Sequence, residues 1–466
     1  MGRRLVAKKP VHPGAAPGVG APALSRSLTR LDLMVIGVAQ IIGAGIFVIS
    51  GVGVKIAGPG LILSFLLAGG ACTLAALCYA ELASIMPQAG SAYSYAYGIF
   101  GELAAWIIGW DLILEYGMGA ATVAAGWSFY LQDLLKASGL ALPHWATGPP
   151  FTEPGRVINL PAALVVMGFA VLLIFRTRFN ALIARGLVLV KLGVIAFILA
   201  LGVFYIRPAN WTPLIPHGAG SIIQAASLVF FAFLGFDVVA ITAEESRRPD
   251  RDVPFGIIGS LTLCSLIYLA VALVLVGMVS YTRINPDAPF STVFRQVGLP
   301  WAADLVGLGA IIGITSVLYM LLLAQPRVLF AMARDGLLPP VVGVLHPRYH
   351  TPHRMTLLCG AAVALVGSLT PIAKLAFLCN IGTLFAFFLV CLGVLVLRVT
   401  HPTLPRPFRC PAGKLVAAAG ALICLALMLS MPEGSWLRLV LWLILGLAVY
   451  FLYAWRSGRF TAAAGE

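Results

Sequence analysis

Between Gly218 and Phe236 the chain carries no charged side chain, and uncharged or nearly uncharged runs of this kind recur along most of its 466 residues. A bilayer span needs about 20 consecutive, mostly apolar residues. Each run is therefore long enough to cross a membrane and too apolar to rest in water. Hydrophobic residues make up 60% of the chain and charged residues 10%, where a soluble domain carries about 25% charged residues. A water-soluble fold is excluded. The runs 32–57, 60–86, 97–135, 157–175, 186–206, 218–246, 255–281, 302–333, 354–372, 374–397, 414–431 and 436–455 predict an all-α polytopic membrane protein of about twelve transmembrane helices.

An even number of spans returns both termini to one side. The segments on that side (the tail, 176–185, 247–251, 327–354, 398–414 and the C-terminus) hold 22 of the 31 Lys and Arg, whereas the opposite side holds eight. Basic residues between spans set orientation, so both termini are expected in the cytoplasm, and the net charge of +14 needs no nucleic acid partner. The eight cysteines show no ligand spacing, and the sequence calls for no disulfide and no metal. The first 30 residues have no apolar core followed by a cleavage site, so they read as a cytoplasmic tail. The expected organisation is a tail over 1–30, a ten-helix core over 31–397, and two further helices with a short tail over 398–466.

Two spans are interrupted by glycine at mid-length. The first reads Ile41-Ile42-Gly43-Ala44-Gly45-Ile46-Phe47 and the sixth reads Phe231-Ala232-Phe233-Leu234-Gly235-Phe236-Asp237. Freed backbone groups persist in a membrane only where they find partners or line a cavity, and paired breaks five spans apart point to an inverted repeat with its binding site at the breaks. The expectation is a five-plus-five arrangement with broken helices 1 and 6. Unwinding exposes N–H groups at the positive start of the second half-helix, which suit a carboxylate. It also exposes carbonyls at the end of the first half, which suit an ammonium. An α-amino acid carries both groups. On this reading the N–H groups of Ala44, Gly45 and Ile46 take the carboxylate, and the carbonyls of Ile41, Phe231, Ala232 and Leu234 take the amine.

Ionisable residues inside spans are costly and call for a partner. Asp237, just past the second break, either bonds the unwound backbone or attracts the amine. Lys191 is the one basic residue well inside a span. It either snorkels to the surface beyond Arg185 or is buried and carries a proton during transport. Asp111 and Glu115 share a helix face at i, i+4 spacing; Asp111 reads as a structural anchor and Glu115 as anchor or proton relay. Glu81, Glu244-Glu245-Ser246-Arg247-Arg248 and Arg334-Asp335-Gly336 fall at cytoplasmic ends, where solvated or gating roles are expected.

The stretches IIGAGIF (41–47), FFAFLGFD followed by AEESRRPDRDVP (230–254), and QPRVLFAMARDGLLP (325–339) resemble the amino acid, polyamine and organocation superfamily, closest to its cationic amino acid transporter branch. The resemblance covers roughly residues 27–455. It implies a secondary active amino acid carrier with the five-plus-five repeat. It also implies that Lys191 stands where other members hold a coupling sodium ion, so that the coupling ion is a proton and no other cofactor is needed. In this family the eighth span borders the substrate side chain. Here that span contains Met320 and, over 313–320, no carboxylate. A cationic side chain in an apolar pocket needs such a partner, so small neutral amino acids are the first expectation, with arginine and lysine second and exchange as the alternative mode.

Other classes fare worse. There is no HExxH or GxxxxGK[ST] pattern, and the seven histidines lie at span ends or in loops, so neither a membrane enzyme nor an ATP-driven pump is indicated. A receptor that binds amino acids without moving them stays open. The expected partners are an L-amino acid and the lipid bilayer of a bacterial inner membrane; a small membrane subunit or a bound sterol stays open as well.

Overall fold

The computed structural model describes residues 28–86, 91–175, 181–334, 336–349 and 351–454. The N-terminal tail up to residue 27, the basic residues Arg176 and Arg178, Asp335 and the C-terminal tail from 455 lie outside them. Among the described residues there is no strand, only isolated bridges such as Leu28 with Ser246.

The first pass is α1 (Arg30–Ile41) followed after the break by α2 (Ser50–Ala57). Gly58, at φ +59, reverses the chain with Pro59 and Gly60 into α3 (Leu61–Ile85). The sequence reading ran the third span from 97. Gly101, at φ +104, instead separates a short α4 (Ser91–Ile99) from α5 (Glu102–Ala137). There follow α6 (Leu160–Ile174), α7 (Ala181–Gly202), then α8 (Ala219–Val229) and α9 (Asp237–Ile241) around the second break, and α10 (Pro249–Met278). A short α11 (Pro289–Gln296) precedes α12 (Pro300–Arg334), α13 (His353–Leu369), α14 (Ile372–Thr400), α15 (Lys414–Leu429) and α16 (Glu433–Val449).

Seven stretches are long and apolar enough to cross a membrane, and the shorter apolar helices α6, α13 and α15 join them. The Arg30–Ile85 stretch holds two passes because of its reversal. The α5 helix, 36 residues long and so about 54 Å in length, adds one more. Twelve passes result among the described residues.

Local chemistry explains the starts of two passes. Thr29 and Asp32 form a capping box at α1, which satisfies two otherwise orphaned N–H groups. The Asn159 side chain accepts from the N–H of Ala162 at the start of α6. Packing then relies on small residues, since apolar side chains gain little from leaving lipid. A Cβ added to Gly37 of α1 would sit 2.4 Å from the Ser260 hydroxyl of α10, and one on Gly256 of α10 would sit 2.8 Å from the Leu33 Cβ. The two helices therefore pack almost backbone to backbone. The last helix, α16, holds α5 through indoles: Trp110 Nε1 donates to the Trp442 carbonyl at 2.8 Å, Trp442 Nε1 returns a bond to the Trp110 carbonyl at 3.0 Å, and Trp106 Nε1 reaches the Gly446 carbonyl at 3.0 Å.

Glu81 departs from the solvated end that the sequence offered as one of its two readings. It is 1% exposed and receives Arg398, Arg406 and the N–H of Cys410. The connector between α14 and α15 is thereby fastened to the end of α3. A single carboxylate in a twelve-span sequence gives no sign of the two arginines that meet it, Arg398 from the last turn of α14 and Arg406 from the connector.

Candidate functional site

At the first break α1 stops at Ile41, Ile42 turns extended (φ −75, ψ 106), and the chain rewinds as a five-residue π-helix, Gly45–Ile49. At the second, α8 tightens into a 3₁₀ turn over Phe230–Phe233, Leu234 is extended (φ −64, ψ 144), and Gly235 takes φ +113 before α9 begins. A φ in that range disfavours side chains other than glycine. The two breaks press on each other reciprocally. A Cβ on Gly45 would lie 2.2 Å from the Ala232 Cα, and one on Gly235 would lie 2.9 Å from the Gln40 Cβ and 3.0 Å from the Gln40 carbonyl carbon. Each glycine thus seats the other break's backbone.

Interrupted helices leave carbonyls without intrahelical donors, and side chains from four other helices supply them. Lys191 of α7, 1% exposed, donates to the carbonyls of Ala39 at 2.9 Å and Ile42 at 3.0 Å. Its stem packs against Gly313 of α12, where a Cβ would meet the Lys191 Cγ at 3.1 Å. Tyr268 of α10 donates its hydroxyl to the Ile41 carbonyl at 2.8 Å, and Tyr130 of α5 donates to the Phe47 carbonyl at 2.7 Å. At the second break Asn380 of α14 donates to the carbonyls of Ser227 and Leu228. The first N–H groups of the rewound segment, those of Gly45 and Ile46, have no preceding turn to bond.

Two unwound helices of this composition, each with a glycine against the backbone of the other, invite comparison with known membrane proteins. The amino acid permease family model matches residues 28–453. The chain belongs to the amino acid permease family. It is 42% identical to the branched-chain amino acid permease BcaP of Bacillus subtilis, over 97% of this chain and 98% of that one. It is 44% identical to the methylthioribose transporter of the same organism over the same shares. Cationic amino acid transporter 4 of Homo sapiens is 36% identical over 83% of this chain and 62% of its own. These relatives are transporters, and the chain is a multi-pass membrane protein of that kind.

In the permease the other residues singled out in the sequence distribute as follows. Ala44 and Ile46 are 1% exposed, Gly43 and Gly45 are buried, and Phe231 and Ala232 are buried beside them. Leu234 and Asp237 are half-buried. The Asp237 carboxylate lies near its own N–H and those of Val238 and Gly235, at the start of α9. The Ile41 carbonyl, expected to take a substrate amine, already accepts Tyr268. Met320 lies one turn beyond Val317 on the face of α12 that meets the first break, where Val317 Cγ2 stands 2.8 Å from a Cβ on Gly43. Met320 stays 38% exposed while Val317 is 9% exposed.

Glu115, 8% exposed, lies near Thr383 of α14 and shares its surroundings with Asp111 and Asp237. Asp111 was expected to anchor α5. It is fully buried against Gly382, yet neither carboxylate oxygen has a partner among the described residues. Tyr130, Tyr268 and Asn380 were not singled out from the sequence. The signal was present in each case, since a hydroxyl or carboxamide inside an apolar span needs a buried partner. On the far side of the first break Phe290 of α11 meets Phe47 edge-on at 6.2 Å. Arg295 ties the same short helix to Asp133 of α5 at 2.8 Å and Asp304 of α12 at 2.9 Å. Among the described residues no group of His, Cys, Asp and Glu is arranged to hold a metal.

Proposed function

We propose that this permease imports small neutral L-amino acids together with protons across a bacterial plasma membrane, with both termini in the cytoplasm. The observation that carries the coupling is Lys191, whose ammonium bridges the carbonyls of Ala39 and Ile42 at the first break. A protonated lysine holds that break in its present shape. Loss of the proton removes the charge, weakens the bonds to both carbonyls and lets the break rearrange, so proton binding and substrate binding bias the same element. The substrate carboxylate docks on the N–H groups of Ala44, Gly45 and Ile46. The amine uses the carbonyls of Phe231, Ala232 and Leu234, with the second lone pair of the Ile41 carbonyl beside them.

The neutral side chain is supported by the apolar Val317 and Met320 face, which carries no carboxylate over 313–320. Two of the bacterial relatives matched over nearly their whole length are named for branched-chain amino acids and for methylthioribose. The test is reconstitution into liposomes with labelled glycine, alanine, serine, leucine and arginine, with and without an inward proton gradient. Uptake of alanine that rises with the gradient is expected. Arginine displacing the label better than alanine, or uptake indifferent to the gradient, overturns the corresponding half of the reading.

A further inference from the structure

Asn380 sits within α14, fully buried, and both hydrogens of its carboxamide nitrogen are used on the end of α8. They go to the carbonyl of Ser227 at 2.7 Å and of Leu228 at 2.9 Å. In an uninterrupted α-helix these carbonyls accept from the N–H groups of Phe231 and Ala232. The winding tightens to three residues per turn over Phe230–Phe233, which slips the bonding register by one residue at the junction. Carbonyls at such a junction lose an in-line donor, and Asn380 replaces it. Its Oδ1 has no partner among the described residues, so the two donated bonds alone fix the carboxamide.

The same stretch of α14 is held firmly on its other face. Cys379 Sγ donates to the Glu115 carbonyl at 3.4 Å, and Gly382 abuts the Asp111 carboxylate. The carboxamide is therefore mounted on a fixed post, and the segment it reaches is the one whose unwinding leaves Phe231, Ala232 and Leu234 outside regular α-helix.

We propose that Asn380 is a positioning residue for substrate recognition, which holds the second break unwound so that its carbonyls stand ready for the substrate amine. This rests on reading the breaks as the amino acid receptor. It assigns to α14, a helix outside both breaks, control over substrate affinity. Truncating the donor lets the carbonyls of Ser227 and Leu228 recapture the N–H groups of Phe231 and Ala232, which rewinds the break and hides it from the substrate.

The test compares wild type with Asn380→Asp, which keeps the shape and loses both N–H donors, Asn380→Ala, which removes the polar group, and Asn380→Ser, which keeps one O–H donor. Backbone hydrogen exchange over 230–236 is read in the substrate-free protein, and L-alanine binding and exchange are read in liposomes. Expected are altered exchange rates confined to 230–236 and an at least tenfold weaker Kd in Asn380→Asp and Asn380→Ala. The maximal exchange rate should stay within twofold, and Asn380→Ser should fall between. Should Asn380→Asp fail to fold, Asn380→Ala and Asn380→Ser carry the comparison. Unchanged hydrogen exchange at 230–236 overturns the proposal, and so does changed exchange with Kd within twofold of wild type. Wild-type protein that binds none of L-alanine, L-leucine or L-arginine sinks the amino acid reading instead, and the exchange rates over 230–236 then decide whether Asn380 shapes the break.

Discussion

A single methyl group at Gly45 should disable the permease far more than the same group at Gly43. A Cβ on Gly45 falls 2.2 Å from the Ala232 Cα, 2.7 Å from its Cβ and 3.0 Å from its nitrogen. Ordinary carbon contacts lie at about 3.5–4.0 Å, so the two breaks must part by roughly 1.5 Å, and the obstructing atoms are backbone that no rotamer can clear. Overpacking of this kind costs about 1–3 kcal/mol, which is about fivefold to 150-fold in an equilibrium constant. At Gly43 the nearest atom is Val317 Cγ2 at 2.8 Å, the end of a side chain on another helix. Alanine there should cost under about 1.5 kcal/mol, and Val317→Ala should restore it. The assay is equilibrium binding of labelled alanine to purified protein, with thermal unfolding as a control for folding. Gly45→Ala binding within twofold of wild type, or a Gly43→Ala defect larger than that of Gly45→Ala, would refute the view that the breaks recognise substrate by seating against each other.

Lys191→Ala should retain substrate exchange and lose gradient-driven uptake in liposomes; uptake that still follows an imposed pH gradient moves the coupling to another group, with Glu115 next. Glu81→Gln should lower the thermal transition sharply, since removing one partner of a buried ion pair costs about 3–5 kcal/mol; a transition within a degree of wild type would contradict the clamp. Gly382→Ala places a Cβ 2.7 Å from an Asp111 oxygen, so it should be destabilising alone and largely rescued by Asp111→Ala, a coupling read from a double-mutant cycle of melting data. Met320→Ser should admit larger neutral amino acids in competition assays, and an unchanged ranking would detach Met320 from the side-chain pocket.

The architecture was legible because lipid imposes simple rules. Uncharged length announced the passes, and glycine at mid-span marked both interruptions to within a residue or two, since few other residues tolerate Gly235's φ of +113 or the close approach at Gly45. Partnerships between distant residues were not legible. Nothing near Glu81 in the sequence foretells Arg398 and Arg406, because the pairing depends on how the end of α14 and the connector after it, more than 300 residues later, pack against α3. The same holds for Lys191: the residue stood out, but its choice between membrane surface and break is decided by Gly313, which makes room for its stem. Asp111 shows the reverse failure. Helical spacing paired it with Glu115 and suggested an anchor, whereas neither of its carboxylate oxygens has a hydrogen-bond partner among the described residues.

The indole ladder between α5 and α16, together with the Glu81 clamp, gives the final two helices a mechanical meaning. One end of this appendage is stapled to α3 through the connector, and the other grips α5 through Trp442 and Gly446. Between them lies a single short turn, where Trp436 bonds the Met428 carbonyl at 2.8 Å. The pair therefore works as a strap across two helices of the core, and any cycle that slides α3 against α5 must stretch or flex at that buckle. A chain cut before α15 would keep its receptor and lose its brace.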